Sequence, residues 1–382
     1  MREGWEYKKL GEYISEYSVR DKGKGYPVYS VTNSQGFCKE FFGKNVASED
    51  TSNYKVVPNG CFAYNPSRIN VGSVDCQDKE EYVSVSPLYV VFKVSPELSQ
   101  KYLLYYLKSD SCMTFIKAYS RGAVRNNLRL SQLGDFEIPI PPLSVQQSIV
   151  SELDMLSGLI AKHEEQLKAY DELAQSIFYD MFGDPVENEK GWEVKKIGDL
   201  AIVKTGPFGS MLHKEDYISN GIPLVNPIHI KDFHIVADMD FTISNEKAEE
   251  LCKYLLLKDD IIFARRGDIG RCAVVSEKES GYLCGTGSLF VRFVVDVVST
   301  YILYIIRSNS FTKELISNAK GATMLNLNSN IIEGLRLPQP PLSLQTLFAE
   351  KIEAIERQKE RIRQSMAEVK TLFDSRMDYY FN

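Results

Sequence analysis

The sequence predicts a mixed α/β protein made of two similar domains that are joined by two long antiparallel coiled-coil helices. Two observations carry this prediction. From about residue 98 to residue 183, the first half of the 382-residue chain aligns with the second half at a constant offset of 199. Each repeat then ends in about 40 residues whose apolar side chains follow coiled-coil spacing. A period this long indicates two duplicated domains, not a solenoid of short repeats.

Two motifs frame each repeat and place the domain boundaries. Gly-Trp-Glu-Tyr-Lys-Lys-Leu-Gly-Glu at residues 4–12 returns as Gly-Trp-Glu-Val-Lys-Lys-Ile-Gly-Asp at residues 191–199. The motif Pro-Pro-Leu-Ser-x-Gln occurs at residues 141–146 and again at residues 340–345. The predicted divisions are a first domain at 1–142, a first connector helix at 143–183, a linker at 184–190, a second domain at 191–341 and a second connector helix at 342–382.

Within each domain, short strands open into polar loops. Strands near residues 84–92 and 285–293 precede helices near 98–119 and 299–318, which makes the domains α+β or α/β. The framework positions of the two domains match, but the loop residues between them do not. A duplicated scaffold with divergent loops suggests two binding surfaces with different specificities.

The two connectors are predicted to be long helices. The Pro-Pro pairs prevent extension upstream, Ser144 and Ser343 are suitable N-caps, and Gly183 ends the first helix. The helices should be antiparallel, because the first leads from one domain to the other and the second returns. His163 and Lys359 interrupt the apolar seams, which favours a role in setting register or a water-exposed crossing. The residues predicted to pack between the helices are Ile149, Leu153, Leu156, Ile160 and Leu167 in the first, and Ile352, Ile355, Ile362 and Met366 in the second.

The net charge of −6 argues against a simple basic module for nucleic acids. The acidity is concentrated, however, because residues 143–190 hold 3 Lys/Arg and 10 Asp/Glu, whereas residues 1–142 hold 18 and 16. The two large domains are therefore near neutral. The acidic helix is either a solvated face or a surface for a partner, and the sequence leaves both readings open.

Cysteine and histidine usage predicts a cytoplasmic protein without a metal site. The 7 cysteines include no Cys-x-x-Cys pair and indicate reduced thiols, and the 4 histidines lack the spacing of zinc ligands. The N-terminus has no apolar signal region, and Arg292 and Asp296 interrupt the most apolar stretch. No membrane contact is expected.

The loops carry side chains that suit duplex DNA. Arg and Asn read guanine and adenine edges by paired hydrogen bonds in the major groove, and a pseudo-two-fold chain suits a two-fold target. For each single residue, an ordinary surface turn or a phosphate contact is the alternative to base contact. The candidate DNA-binding residues are Ser30, Thr32, Asn33, Asn65, Arg68, Asn70, Arg121, Arg125, Asn127, Ser210, Asn226, His229, Arg265, Arg266, Arg271, Lys320 and Asn326.

Catalytic motifs were not found in the sequence. The Pro-Pro pairs are followed by Leu143 and Leu342, so neither forms the Asp/Asn-Pro-Pro-Tyr/Phe box of a methyltransferase. Gly285-Thr286-Gly287 is weak as a dinucleotide motif, and no phosphate-binding loop with Gly-Lys-Ser/Thr is present. No catalytic residue and no cofactor are predicted for this chain.

The ordered, duplicated motifs resemble the specificity subunit of type I restriction–modification systems over essentially the whole chain. The Gly-Trp openings, the Pro-Pro-Leu-Ser-x-Gln helix starts and the segment Thr205-Gly206-Pro207-Phe208-Gly209-Ser210 carry the resemblance. It implies two target recognition domains, each reading half of a split, asymmetric DNA site, with the helices setting the spacer. It also implies two methyltransferase subunits as partners, which would hold S-adenosylmethionine, and restriction subunits joining further out. The subunit itself would not be catalytic.

Two other classes of function remain as alternatives. A coiled-coil scaffold would show no sequence-dependent retention of DNA even with its partners present. A self-contained methyltransferase or nuclease would act alone, and a methyltransferase would bind S-adenosylmethionine without a partner.

Overall fold

The computed structural model describes residues 5–39, 50–120, 127–208, 211–266, 270–319 and 326–382. They form two compact units, one of Met1–Glu164 with Arg363–Asn382 and the other of Glu165–Ile362. These units differ from the predicted divisions because each long helix contributes one part to each unit. The prediction of two mixed α/β domains with two long helices is confirmed.

The first unit is built on a four-stranded antiparallel sheet with the order β2-β9-β6-β7, and smaller strand pairs join β1 to β10, β3 to β4 and β5 to β8. Its core buries Leu10, Phe62, Phe92 and Tyr102. The strands are β1 (Glu6–Lys9), β2 (Ile14–Glu16), β3 (Ser30–Thr32), β4 (Gly36–Cys38), β5 (Lys55–Pro58), β6 (Phe62–Tyr64), β7 (Val74–Cys76), β8 (Tyr82–Val85), β9 (Val90–Val94) and β10 (Glu137–Ile140), and the helices are α1 (Gln100–Lys108), α2 (Asp110–Ser120) and α3 (Leu130–Gly134), with 3-10 turns at Leu10–Glu12 and Ile69–Val71.

The second unit repeats this plan. A four-stranded antiparallel sheet has the order β12-β21-β18-β19, a second sheet has the order β13-β17-β14-β20, and two strand pairs join β11 to β22 and β15 to β16. The strands are β11 (Val194–Lys196), β12 (Ala201–Thr205), β13 (Tyr217–Ile218), β14 (Ile222–Val225), β15 (Ile230–Lys231), β16 (His234–Ile235), β17 (Thr242–Ile243), β18 (Ile261–Ala264), β19 (Cys272–Val274), β20 (Leu283–Cys284), β21 (Ser288–Phe293) and β22 (Arg336–Pro338), and the helices are α5 (Ile197–Leu200), α6 (Asn245–Glu250), α7 (Ser299–Arg307), α8 (Asn309–Asn318) and α9 (Ser329–Gly334), with 3-10 turns at Lys214–Asp216, Pro227–His229 and Cys252–Tyr254.

The single helix predicted near 98–119 is in fact two helices, and so is its counterpart near 299–318. Ser109 and Ser308 separate them, and the hydroxyl of each donates to the carbonyl three residues earlier at 2.7 Å. The same hydroxyls accept from the backbone N–H of the following helix, Cys112 in one unit and Phe311 in the other. Because serine side chains compete with the helix ladder for backbone groups, both breaks follow from the residue type.

The two connector helices are α4 (Leu143–Phe182) and α10 (Leu342–Phe381), each of 40 residues and therefore about 60 Å long. Val145 N–H donates to Pro142 O at 2.8 Å, and Leu344 N–H donates to Pro341 O at 2.9 Å. Both helices therefore begin directly after the proline. The prediction that Ser144 and Ser343 are N-caps is wrong, because each lies in the first helical turn.

A buried glutamine attaches the start of each long helix to its domain. Gln146 and Gln345 are 0% and 3% exposed. The Oε1 atom of Gln146 accepts from Ser99 N–H at 2.8 Å, and its Nε2 donates to Pro141 O at 2.9 Å. Gln345 repeats both bonds at the offset of 199, with Val298 N–H at 3.0 Å and Pro340 O at 2.9 Å. The last residue of the Pro-Pro-Leu-Ser-x-Gln motif is thus the anchor of the helix.

The long helices contact each other in both units, and the contacts of the second unit show that they run antiparallel. In the second unit, Phe178 and Phe182 pack on Phe348, with ring centroids 5.8 Å and 5.3 Å apart. In the first unit, Glu152 forms an ion pair with Arg376 at 2.7 Å. In the second unit Asp171 also lies 2.9 Å from Lys359, so residue numbers rise along α4 where they fall along α10. Of the predicted packing residues, Ile149, Leu153, Leu156, Ile352 and Ile355 are buried, and Ile160, Leu167, Ile362 and Met366 are half-buried.

Lys359, which interrupts the apolar seam, is 5% exposed and lies in a charge cluster. Its Nζ is 2.9 Å from Asp171 of α4 and 2.7 Å from Glu356. Asp171 is also 3.7 Å from Arg307, whose guanidinium lies over the rings of Phe233 and Tyr304 at 4.1 Å and 4.8 Å from their centroids. The ammonium group of Lys359 is therefore neutralised by two carboxylates, and a role in setting the register of the helices stays a prediction.

The Gly-Trp motif of the second unit closes the end of α4. Trp192 Nε1 donates to Phe182 O at 3.0 Å, and Asn188 Oδ1 accepts from Trp192 N–H at 3.0 Å. Gly183 and Gly191 have φ of 76° and 71°, which glycine adopts without strain. Over the parts of the chain that are described, no helix is both long enough and apolar enough to cross a membrane.

Candidate nucleic-acid interface

In the second unit, a single backbone contact brings distant candidate residues together. Leu327 N–H donates to Arg265 O at 2.9 Å, and Arg266 and Asn326 form an antiparallel bridge. Arg265 follows β18 directly, whereas Asn326 precedes α9. Residues that were predicted from two separate loops therefore lie side by side.

Arg265 and Arg266 differ in exposure and in the hydrogen bonds that they form within the protein. Arg265 is half-buried, and its Nε donates to Leu327 O at 3.2 Å. Burial, and then the neighbouring charge of Arg266, lower the pKa of Arg265. Arg266 is exposed, and its guanidinium has no hydrogen-bond or ion-pair partner within the described ranges. Arg266 is thus available to a ligand, while Arg265 also holds the loop.

A second pair of candidates meets beside a cleft. Arg271 Nη1 donates to Pro227 O at 3.1 Å, which places Arg271 against the turn that begins at Asn226. Arg271 also lines a cleft of about 680 Å³ together with Ile228, Lys231 and Arg307. Asp232 also lines the cleft, so its lining holds three basic side chains and one acidic one, and this excess of positive charge suits an approach to phosphates.

Three glycines allow the loops of this surface to cross closely. A Cβ atom on Gly206 would lie 2.0 Å from Gly285 O, and one on Gly285 would lie 2.2 Å from Asn226 Oδ1. A Cβ on Gly287 would lie 2.9 Å from Pro227 Cδ. The Gly285-Thr286-Gly287 segment therefore has a packing explanation in place of a dinucleotide site. The crossing also brings the Thr205–Pro207 segment to the Asn226 turn.

His229 is 3% exposed and lies inside this turn, not on the surface. Its Nδ1 is 2.7 Å from Leu224 O and 3.2 Å from Asn226 N, and its ring packs edge-on against Phe241. Direct DNA contact by His229, as expected from the sequence, does not fit this placement. The residue supports the turn that carries Asn226.

The first unit repeats the backbone contact with different side chains. Leu128 N–H donates to Pro66 O at 3.1 Å, the counterpart at the offset of 199 of the bond between Leu327 and Arg265. Tyr64 Oη donates to Leu128 O at 3.1 Å and fixes the same loop. Arg68 and Asn127 are exposed on the two sides of this contact.

Ser73 connects β3 to the same region. Its hydroxyl donates to Val31 O at 2.5 Å, and its own carbonyl accepts from Asn65 N–H at 3.2 Å. Asn33, which follows β3, is exposed, whereas Ser30 is half-buried. The candidates from three loops of the first unit therefore converge in the same way as in the second.

The side chains of Thr32 and Asn65 form hydrogen bonds within their own turns. Thr32 is buried, and its Oγ1 accepts from Gln35 N–H at 3.1 Å to close the β3–β4 turn. Asn65 Oδ1 accepts from Ser67 N–H at 3.1 Å and from Ser67 Oγ at 2.8 Å, which is an Asx turn. Neither side chain is presented to a ligand in this conformation, contrary to the prediction. Asn70 is half-buried in the adjoining 3-10 turn.

Two surfaces are defined by these placements. The first surface is formed by Asn33, Arg68 and Asn127, and the second surface is formed by Asn226, Arg266, Arg271 and Asn326.

The predicted residues Arg121, Arg125, Ser210 and Lys320 lie outside the described residues. Sequence reasoning missed Phe208 and Ile228, which are exposed apolar side chains of the second unit. Among the described residues, no group of three His, Cys, Asp or Glu side chains is arranged to hold a metal ion.

The family model of the type I restriction modification DNA specificity domain matches residues 2–169 and, a second time, residues 189–371. The chain belongs to this family and carries two copies of its domain. The resemblance that the motifs indicated is confirmed.

Two relatives come from Methanocaldococcus jannaschii. The type I restriction enzyme MjaIX specificity subunit is 27% identical over 258 residues, which cover 63% of this chain and 59% of the relative. The chain therefore matches about three fifths of the length of that relative. The putative type I restriction enzyme MjaX specificity subunit is 20% identical over 386 residues, covering 93% of this chain and 87% of the relative.

A solved structure supports the fold. It is described as the structural basis of complex assembly and conformational transition of the type I R-M system. One of its chains matches with a TM-score of 0.60 at 18% identity, covering 100% of this chain and 98% of that chain.

Proposed function

We propose that this chain is the DNA-specificity subunit of a type I restriction–modification complex and that it recognises a bipartite, asymmetric site. The supporting observation is the repeated loop contact, Leu128 to Pro66 in one unit and Leu327 to Arg265 in the other. The same backbone contact positions both surfaces, but the surfaces carry different side chains. Recognition of two different half-sites requires such a difference in side chains on a shared backbone structure.

The chemistry of the two surfaces supports unlike half-sites. The first surface presents the exposed amides of Asn33 and Asn127 and the exposed guanidinium group of Arg68. In the second surface Arg266 is exposed, whereas Asn226, Arg271 and Asn326 are half-buried. Asn pairs with the adenine edge and Arg with the guanine edge in the major groove. The second half-site is therefore expected to depend most on a guanine contact by Arg266.

The chain acts in this proposal as a recognition subunit without catalysis of its own. Two methyltransferase subunits would supply S-adenosylmethionine and transfer the methyl group, and restriction subunits would join them. The near-neutral charge of the two domains supports this division, since a partner would contribute much of the attraction to phosphate.

The test is a methylation map of DNA from cells that co-express this chain with its cognate methyltransferase subunit. We expect a split motif with a fixed gap that is modified only when this chain is present. Equilibrium dialysis of the purified chain with S-adenosylmethionine serves as the companion measurement, and no binding is expected. Formation of the complex without any motif would support the scaffold alternative, and cofactor binding by the chain alone would support an enzyme.

A further inference from the structure

The aromatic and acidic side chains that line one pocket of the first unit are not repeated in the second unit. Phe115 and Tyr119 lie one turn apart on α2, and their rings are 6.1 Å and 5.3 Å from the ring of Phe136, measured between centroids. Asp135 and Glu137 complete the lining of a cavity of about 230 Å³. We propose that this pocket binds the cationic side chain of an arginine or lysine residue on a partner protein.

The exposure of the aromatic rings is the first argument. Phe115 and Tyr119 are 53% and 47% exposed, whereas Cys112 and Ile116 on the inner face of the same helix are fully buried. The two rings are thus not needed to fill the core. Adjacent exposed aromatic side chains with a polar rim are typical of a binding surface.

The charge of the pocket selects a cation and excludes nucleic acid. Asp135 and Glu137 are exposed, and neither carboxylate has a hydrogen bond or an ion pair within the part of the chain that is described. Lys9 stands opposite Glu137 in the β1–β10 register but makes no ion pair with it among the described contacts. Two exposed carboxylates beside π faces attract an ammonium or guanidinium group and repel phosphate.

The size of the pocket points to one side chain. A volume of about 230 Å³ lies below the roughly 300–1,000 Å³ of sites for drug-sized ligands. A cationic side chain with its apolar stem matches both parts of the lining, since the stem contacts the rings and the charged end reaches the carboxylates.

The repeat shows that the pocket is not part of the scaffold. At the offset of 199, Phe115 corresponds to Glu314, Tyr119 to Asn318 and Glu137 to Arg336. The buried floor residue is kept apolar, because Leu335 replaces Phe136 and both are nearly fully buried. The second unit therefore keeps an apolar residue at the buried position but has other residues at the exposed aromatic and acidic positions. The pocket therefore serves a partner that contacts the first unit alone.

The experiment uses the full chain labelled with 4-fluorophenylalanine and observed by ¹⁹F NMR. The Phe136 resonance is assigned as the one that is missing in Phe136→Leu. The probes are acetyl-Gly-Arg-Gly-amide and acetyl-Gly-Lys-Gly-amide, with acetyl-Gly-Gln-Gly-amide as the neutral control and spermidine as a cation that is not a protein. We expect a saturable shift of the Phe136 resonance with the arginine or lysine peptide and none with the glutamine peptide.

Variants of the pocket residues show whether the peptides bind in the pocket or shift the resonance nonspecifically. Tyr119→Ala and the double variant Asp135→Asn/Glu137→Gln are each expected to weaken peptide binding at least about threefold. The matched control, Asn318→Ala in the second unit, leaves the titration unchanged. Equal shifts with the glutamine peptide, unaltered binding by the pocket variants, or binding of spermidine but of neither cationic peptide would each overturn the proposal. The assay contains no DNA, so its result is independent of the proposed recognition function.

Discussion

Side chains on the two recognition surfaces differ in how much of their hydrogen-bonding capacity the fold already uses. Arg265 donates to Leu327 O, and Asn65 accepts from Ser67, so both are partly or wholly engaged within the protein. Arg266 and Arg68 are exposed. DNA specificity is therefore expected to depend most on exposed residues such as Arg266 and Arg68, because their replacement leaves the loops intact.

Arg266→Ala is expected to relax the DNA specificity without unfolding the second unit. The loss of one arginine contact to a base pair costs about 1–3 kcal/mol of discrimination at that position. The measurement is the methylation map, read base by base, together with urea denaturation to check that the fold is unchanged. Lys278→Ala, an exposed residue of the same unit, is the control. Retention of full discrimination at every base of the half-site would show that Arg266 does not read DNA.

The cluster around Lys359 gives a second prediction at this scale. Asp171→Asn leaves Lys359 with Glu356 as its acidic partner, and we expect the unfolding free energy to fall by about 1–3 kcal/mol, less than for a fully orphaned buried charge. Lys359→Met removes the buried charge itself, and we expect a neutral or stabilising effect. Urea denaturation of both variants measures the difference. Equal destabilisation by the two substitutions would contradict this account.

One buried glutamine attaches the N-terminal end of each long helix to its domain. In Gln345→Ala, the Val298 N–H loses its acceptor and a partly buried donor is left unpaired, which costs at most about 1–3 kcal/mol. Hydrogen exchange at Val298 should therefore accelerate, and exchange at Ser99 should accelerate in Gln146→Ala. The exposed Gln166→Ala on α4 is the control. Unchanged exchange at both amides would mean that the glutamines do not anchor the helices.

The length of the connector helices leads to a further prediction for the proposed function. Duplication of residues 160–166 in α4 and of residues 359–365 in α10 adds about 10.5 Å to each helix, or about three base pairs of DNA. We expect the gap in the methylated motif to grow by about that amount while the half-sites stay the same. Duplication in one helix alone should disrupt pairing and abolish methylation. An unchanged gap in the double insertion would exclude the helices as the spacer ruler.

The elements also show which features a sequence can predict. The bounds of α4 and α10 lie within one residue of the predicted 143–183 and 342–382, because heptad spacing, Pro-Pro and glycine are local signals. The burial of His229 and Thr32 was not foreseen, since both depend on contacts with distant residues. The motif around Gln146 was visible in the sequence, but its role required the position of Ser99, 47 residues away.

For the whole molecule, the duplicated plan predicts that the two domains are exchangeable. Each unit has its own sheet and its own buried core. Replacement of residues 191–341 by the equivalent domain of another specificity subunit should therefore change one half-site and leave the other intact. The methylation map of the chimera is the measurement. A change in both half-sites would count against separate recognition domains.

The core of the first unit contains residues from both ends of the chain. Phe381 lies in the same buried cluster as Leu10, and Phe373 and Tyr380 pack against that cluster. The second unit, in contrast, is one continuous segment, Glu165–Ile362. During translation, Phe381 must therefore be synthesised before the first unit has its complete core. The second unit has all of its residues earlier, so the order of folding is expected to be the reverse of the order of synthesis.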